Sequence, residues 1–329
     1  MKSNTIVLAS DSNYVWGVFL LICSIRMNNM DEPVLILAKN YTPEDIECLQ
    51  QFDDISIVEH TDDFGKNMNC IKPIAMLLAE TEYMTWVDCD GLFTGNCSKY
   101  LVDNPEKVHF RLRSNDENYH VFEKHYRAED GEKGIPKHIL QIWQANVGEN
   151  YEPLLETCGS TCFFSVHRNH RHLLEKWRDQ IEKVLPHVCI GVCNSNSVAY
   201  FQTDESVLNS VLCFAKNVIK PGEYKLDKDN TAYYVHFTCH PKPWLCWTFS
   251  TIKHFDKTVE LVQRAQEQGI SLPRGGTVPF SFNSKFKIAN HAISIFIPPL
   301  YRVYKKLERL LAQTKKTIEL YYFVDNKGD

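Results

Sequence analysis

The sequence predicts an α/β fold with a mostly parallel sheet flanked by helices. Three observations lead there. From residue 5 to residue 88, short runs of β-prone apolar residues alternate with stretches that read as helices. The segments between them carry helix starts, of which Thr42-Pro43-Glu44-Asp45 is the clearest. The run Tyr83 to Val87 is apolar and ends on two aspartates one residue apart, where open α/β sheets hold their ligands.

Each element has a local reason. Thr5-Ile6-Val7-Leu8-Ala9 is the first strand, Asp11, Ser12 and Asn13 the turn, and Tyr14 to Met27 a helix. Pro33 to Ala38 is the second strand. The next helix opens on a capping Thr42, with Pro43 in the first turn and acids at the positive end of the dipole. Ile55 to Val58 is the third strand, Cys70 to Glu80 a helix, and Met84 to Asp88 the fourth strand, rich in Thr, Trp and Val. Residues 114–150 break the pattern. They are polar, with weak periodicity, and read as an insertion suited to an acceptor site. Order returns with a strand at Gly159 to Val166 and a helix from His170 to Leu185. A loop follows at 186–199, then a helix from Asp204 with Val207, Leu208, Val211 and Leu212 on one face, and a late strand at Tyr233 to Phe237.

Bulk properties narrow the classes. The chain has 329 residues, enough for one large domain or two modest ones. We expect a catalytic domain over 1–280 and a separate tail over 281–329. A net charge of −5 argues against a nucleic-acid partner. No basic segment followed by an apolar core opens the chain, so a cytoplasmic location is expected. The apolar stretches Val15–Ile25 and Ile288–Leu300 are too short or too interrupted to span a bilayer. Twelve cysteines in a chain of this size read as reduced thiols. Cys158-x₃-Cys162 and Cys189-x₃-Cys193 lack the usual zinc spacing and read as buried structural thiols.

Two carboxylates two residues apart in an extended segment point the same way. Asp88 and Asp90 therefore offer hard oxygens to one divalent ion, Mg²⁺ or Mn²⁺, with Gly91 permitting a tight departure of the chain. The plainer alternative is an acidic turn after a strand. Two further motifs keep company with the pair: Asp11-Ser12-Asn13-Tyr14 after the first strand, and His236-Phe237-Thr238-Cys239-His240-Pro241-Lys242-Pro243-Trp244.

With these motifs the chain resembles the nucleotide-sugar glycosyltransferases of family 8, the group of glycogenin and the bacterial lipopolysaccharide galactosyltransferases, over roughly residues 4–250. The resemblance implies a GT-A type, Rossmann-like nucleotide-sugar-binding domain. It implies transfer of a hexose from a UDP-sugar to a glycan or glycolipid acceptor, with retention. An inverting transferase, or a non-catalytic sugar-nucleotide-binding or membrane-scaffold protein, are the alternatives. It assigns Asp88, Asp90 and His236 to the metal, where a histidine among hard oxygens favours Mn²⁺ over Mg²⁺. Without its neighbours His236 would read as a core histidine. Asp11, Asn13 and Tyr14 match the nucleoside pocket, with Tyr14 stacking on the base, and equally read as a helix cap with a packed aromatic. Lys72 matches a donor-contacting basic residue, against the alternative of an exposed lysine at a helix start. Lys242, aimed by flanking prolines, matches the residue that meets the pyrophosphate.

Asp204-Glu205-Ser206-Val207-Leu208-Asn209 resembles the family's Asp-Gln-Asp-x-Leu-Asn. It places Glu205 near the reacting face of the sugar, as nucleophile or as stabiliser of an oxocarbenium ion. Asp204 or Glu205 would be the base in an inverting reaction. The sequence departs from the family pattern at Cys239, usually Gly, and at Gly159-Ser160-Thr161, which shapes the sugar pocket.

Residues 281–329 hold nine Lys and Arg against four Asp and Glu, so the acidic excess lies in the rest of the chain. Over 281–323 these basic residues interleave with aromatic and aliphatic ones. The pattern predicts a basic amphipathic helical tail that rests peripherally on an anionic membrane at its cytoplasmic face, or that packs on the domain with a solvated basic face.

Overall fold

The computed structural model describes residues 3–61, 68, 70–102, 105–106, 108–122, 134–148, 152–185, 198–214, 221–223, 233–238, 240–275, 278–296, 300 and 303. The chain divides into two compact units, Met1–His236 with Gly269–Pro273, and Phe237–Gln268 with Arg274–Asp329. The boundary expected at 280/281 falls inside the second unit.

Among the described residues the first unit has nine strands: β1 Asn4–Asp11, β2 Val34–Lys39, β3 Ile55–Glu59, β4 Tyr83–Val87, β5 Gly91–Phe93, β6 Val108–Leu112, β7 Gly159–His167, β8 Pro221–Glu223 and β9 Tyr234–His236. Seven form one sheet in the order β3-β2-β1-β4-β7-β6-β8, and β5 pairs with β9 in a small second sheet. β1 runs parallel to β2 and β4, and β2 to β3. β7 runs antiparallel to β4 and β6, and β8 parallel to β6. The mostly parallel sheet expected from the sequence is present.

Its helices are α1 Val15–Met27, α2 Pro43–Leu49, α3 Lys72–Leu77, α4 Ser98–Leu101, α5 Asn115–Phe122, α6 Lys137–Val147, α7 Arg171–Val184 and α8 Asp204–Phe214. α1 is buried on every side from Val15 to Ile25, which accounts for its unbroken apolar stretch. α2 begins on the expected cap: Thr42 accepts from the Asp45 amide at 3.2 Å, and Asp45 accepts from the Thr42 amide at 3.0 Å. α3 is shorter than the expected 70–80. The stretch 114–150 contains α5 and α6. Its periodicity looked weak because only Ile139 and Trp143 of α6 are buried, and the Trp143 indole donates to the Ala199 carbonyl at 2.8 Å. Most of the 186–199 loop lies outside the described residues, as does Cys239. The nine cysteines among the described residues are free thiols.

In the second unit, α9 Phe255–Glu267 and α10 Val278–Ser281 surround a fully buried Trp247. Its indole donates to the Ser281 carbonyl at 2.7 Å, and the rings of Phe237, Phe255 and Phe282 pack around it. The start of the tail packs here as well. In the helical stretch 287–296 the polar Asn290 and Ser294 are buried, whereas Ile288 and Phe296 are 86% and 68% exposed. Asn290 donates to the Phe280 carbonyl at 2.8 Å, and Lys287 pairs with Asp256 at 2.6 Å. This inverts the usual arrangement, in which the apolar face of a helix turns inward. Among the described residues no helix is long and apolar enough to cross a membrane.

Candidate active site

The strand order sets the site. β1 has β2 on one side and β4 on the other, so the chain direction of assembly switches between β1 and β4. Ligands of open α/β sheets bind outside the carboxyl ends of strands at such a switch. Asp11 closes β1 there, and Asp88 directly follows β4.

Asp88 is fixed from several directions. Its amide donates to the Cys162 carbonyl of β7 at 2.8 Å, and its own carbonyl accepts the Tyr234 hydroxyl at 2.5 Å. Its Oδ1 accepts from the Trp86 indole at 2.8 Å and from Lys72 Nζ at 2.9 Å. Asp90 is presented through the β5–β9 ladder, in which Gly91 stands opposite His236. His236 Nε2 lies 2.9 Å from Asp90 Oδ1 and 3.7 Å from Asp88 Oδ2. Gly91 serves close approach rather than a special turn. Its φ is not positive, and a Cβ there would stand 2.3 Å from the Tyr234 hydroxyl oxygen and 2.5 Å from the Val235 carbonyl oxygen.

One ligand atom from each of Asp88, Asp90 and His236 lies within 4.8 Å of the others. Two carboxylates and an imidazole suit a divalent transition ion, so the residues present fit the metal that the sequence implied. Burial alone would lower the His236 pKa. The hydrogen bonds to Asp90 and Cys162 and the Asp90 and Asp88 charges outweigh it, and raise the value to about 10.

Behind these ligands lies a second layer of charge. Lys72 is the first residue of α3 and is buried. The alternative of an exposed lysine does not hold. Its Nζ pairs with Asp88 and, at 3.1 Å, with Asp204 Oδ2, and it donates to the Thr161 hydroxyl at 3.3 Å. Burial opposes its charge, but the Asp204 and Asp88 carboxylates reverse this and hold its pKa above the ordinary lysine range. Burial pushes the Asp204 carboxyl up, with Lys72 pulling it part of the way back.

Glu205 follows in the first turn of α8 and is fully engaged. Oε1 pairs with Arg113 Nη2 and accepts from Gln202 Nε2 at 2.6 Å. Oε2 accepts from the Thr161 amide at 2.9 Å. Asn209 clamps α8 to the start of β7, accepting from the Gly159 amide at 2.7 Å and donating to its carbonyl at 3.0 Å.

Asp11 caps the turn after β1 by accepting from the Asn13 amide at 2.9 Å, and Tyr14 is half-buried beside it. Asp11, Asn13, Tyr14, Lys72, Asp88, Asp90, Asp204, Glu205 and His236 all belong to the first unit. Lys242 lies in the second, buried, with its ammonium donating to the Phe237 carbonyl at 2.5 Å. The sequence reading gave no site role to Arg113, Gln202, Trp86 or Tyr234, and named Thr161 only within the segment that shapes the sugar pocket. A signal for Arg113 existed: a carboxylate where the resembling family has an amide needs a cation nearby.

No protein-family model and no curated protein matches the sequence. Solved structures do resemble the fold. The apo form of the bifunctional glycosyltransferase WbbM superposes with a TM-score of 0.54 at 12% identity, over 81% of this chain and 50% of that one. The galactosyltransferase LgtC, solved with donor and acceptor sugar analogs, gives 0.50 at 12% identity over 82% and 100%. Apo GlyE from Streptococcus pneumoniae gives 0.50 at 11% over 83% and 65%. The chain spans half the length of the WbbM structure and just under two thirds of that of GlyE. It shares with all three the GT-A fold that the sequence led us to expect.

Proposed function

We propose that this chain is a metal-dependent glycosyltransferase that moves a hexose from a UDP-sugar to a glycan acceptor with retention of configuration. The observation that carries this is the convergence of Asp88, Asp90 and His236 on one point at the carboxyl end of β4, within a fold shared with glycosyltransferases. A divalent ion held there, Mn²⁺ by preference, supplies Lewis acidity toward the leaving diphosphate.

The chain's own residues do the rest. Asp11, Asn13 and Tyr14 at the end of β1 hold the nucleoside, with the Tyr14 ring stacked on the base. Lys72 holds Asp88 in place through their ion pair. The Glu205 carboxylate stands near the sugar, with both oxygens occupied by donors. A carboxylate so engaged is a poor nucleophile, which supports same-face transfer assisted by its charge over a covalent glycosyl-enzyme. Asp204, buried and paired with Lys72, is badly disposed to act as an inverting base. The outward apolar residues of 287–296, beside Lys285 and the basic residues further along the tail, support an acceptor met at an anionic membrane surface.

A panel of UDP-sugars with Mn²⁺, read as UDP release, tests the reading. At least one donor should be turned over, and Asp88→Asn or Asp90→Asn should lower the rate at least a hundredfold while leaving the fold intact. Neither release nor binding of UDP with any donor would overturn it. The anomeric configuration of the product, read by NMR, tests retention.

A further inference from the structure

The antiparallel pairing of β6 and β7 slips beside the candidate site. Consecutive residues Phe110 and Arg111 of β6 stand opposite Phe164 and Ser160 of β7. Thr161, Cys162 and Phe163 lie between those positions with no counterpart on β6. Irregularities of this kind free backbone groups and re-aim side chains, and they recur next to active sites. Here Thr161 uses the freedom. Its amide donates to Glu205 Oε2 at 2.9 Å, and its carbonyl accepts from Lys72 Nζ at 3.3 Å.

Beyond the slip the two chains keep the new register. The Arg113 amide donates to the Cys158 carbonyl at 3.0 Å, and the Arg113 carbonyl accepts the Thr157 hydroxyl at 2.7 Å. In an unslipped ladder Arg113 would stand opposite Thr161. The slip instead leaves the Thr161 amide to Glu205 and brings the Arg113 side chain to the same carboxylate.

That meeting is buried. The Arg113 and Glu205 side chains are 11% and 12% exposed, and Arg113 Nη2 pairs with Glu205 Oε1. The other donor to Oε1 is Gln202 Nε2 at 2.6 Å, three residues before Glu205. Gln202 belongs to the same end of α8 as Glu205, so it cannot by itself tie that carboxylate to the sheet. Arg113 is rooted on a different element and carries a full charge on a planar, directional fork. A glutamate side chain has three rotatable bonds, and a carboxylate serves a reacting centre only where it is held in place.

We propose that Arg113 is a positioning residue for sugar transfer: it sets the place of the Glu205 carboxylate through their ion pair and acts on the sugar only through it. This rests on the transferase reading, in which Glu205 stands near the sugar. An amide at position 205 would call for no cation beside it. Arg113 and Glu205 therefore form a matched pair, and their losses should not multiply.

The test is a double-variant cycle on the full chain with the best donor from the UDP-sugar panel. Arg113→Met should lower kcat about tenfold, with the donor KM and the UDP affinity within about twofold of the parent. Arg113→Lys should regain part of that loss. Arg113→Met/Glu205→Gln should match Glu205→Gln alone within about twofold, because the second change removes what Arg113 holds. A double variant about tenfold slower than Glu205→Gln would show that Arg113 acts on its own, and would overturn the proposal. So would Arg113→Met turning over at the parent rate. If Arg113→Met fails to fold, the double variant against Glu205→Gln still decides, since it leaves no carboxylate without its partner. A parent chain that turns over no donor would overturn the transferase reading first, and this role with it.

Discussion

Replacing Lys72 with Met leaves two carboxylates facing one another without their shared cation. The Lys72 ammonium lies 2.9 Å from Asp88 and 3.1 Å from Asp204, and the Lys72 and Asp204 side chains are each 4% exposed. Removing one partner of a buried pair strands the other charge, at a cost of about 3–5 kcal/mol. For a chain of this size about 2 °C of melting temperature corresponds to each kcal/mol, so Lys72→Met should melt roughly 6–10 °C lower at pH 8. The pH dependence has a definite sign. Burial already holds the Asp204 carboxyl above its usual range, and losing Lys72 raises it further. A carboxyl whose folded pKa exceeds its unfolded value contributes stability at low pH and loses it as pH rises through the folded value. The deficit of Lys72→Met should therefore shrink between pH 8 and pH 5. The double variant Lys72→Met/Asp204→Asn should recover most of it at pH 8. Thermal unfolding followed by circular dichroism over that range measures all three. If Lys72→Met melts within about 2 °C of the parent at pH 8, Lys72 is not the counter-ion that holds these carboxylates.

Three further outcomes follow from the same geometry. His236 is protonated in the metal-free chain up to about pH 10, and an ion must displace that proton. Mn²⁺ affinity should rise about tenfold per pH unit between pH 6 and pH 8 with release of close to one proton, and calorimetry showing a flat profile would refute it. Glu205→Gln should lower kcat at least about tenfold with near-normal UDP affinity, since its charge acts mainly in the transition state; turnover at the parent rate would reduce Glu205 to a structural acid. Changing Ile288, Ile295 and Phe296 together to Ser should release the chain from anionic vesicles at low salt while leaving its melting temperature unchanged, because these side chains are exposed; undiminished vesicle binding would show that the outward face is not the anchor.

The sheet and the aspartate pair were legible because they rest on short-range patterns. Alternating β-prone runs, the Thr42 cap and the two-residue spacing of Asp88 and Asp90 each show within a few residues. What stayed hidden depends on partners far along the chain. Lys72 is expected to contact the donor, with an exposed lysine as the alternative; its pairing with Asp204 shows only when α8 brings that residue against it, 132 positions later. Arg113 has no local mark, because Glu205 alone gives it a role, from 92 positions away. Gly91 suggested a turn by its conformational freedom, yet its role is the space it leaves for Tyr234. In α6 apolar residues are spread round the helix, and only Ile139 and Trp143 among them are buried, so no clear stripe marked its anchoring face. The inward turn of Asn290 and Ser294 runs against the helical pattern itself, so periodicity could not have found it.

The β5–β9 ladder joins residues that the ribosome makes far apart. His236 comes 146 positions after Asp90, and Tyr234, which holds the Asp88 carbonyl, arrives with it. Asp88 and Asp90 are synthesised in the first third of the chain, and their third partner comes only when the last strand of the first unit returns. A fragment ending anywhere between β4 and β9 can assemble parallel strands, but it cannot present the imidazole. Loops that long add little further closure entropy per residue, so the chain can defer this step without a large thermodynamic penalty. The proposed metal centre would thus report on the completeness of the fold, since every unfinished chain lacks its imidazole.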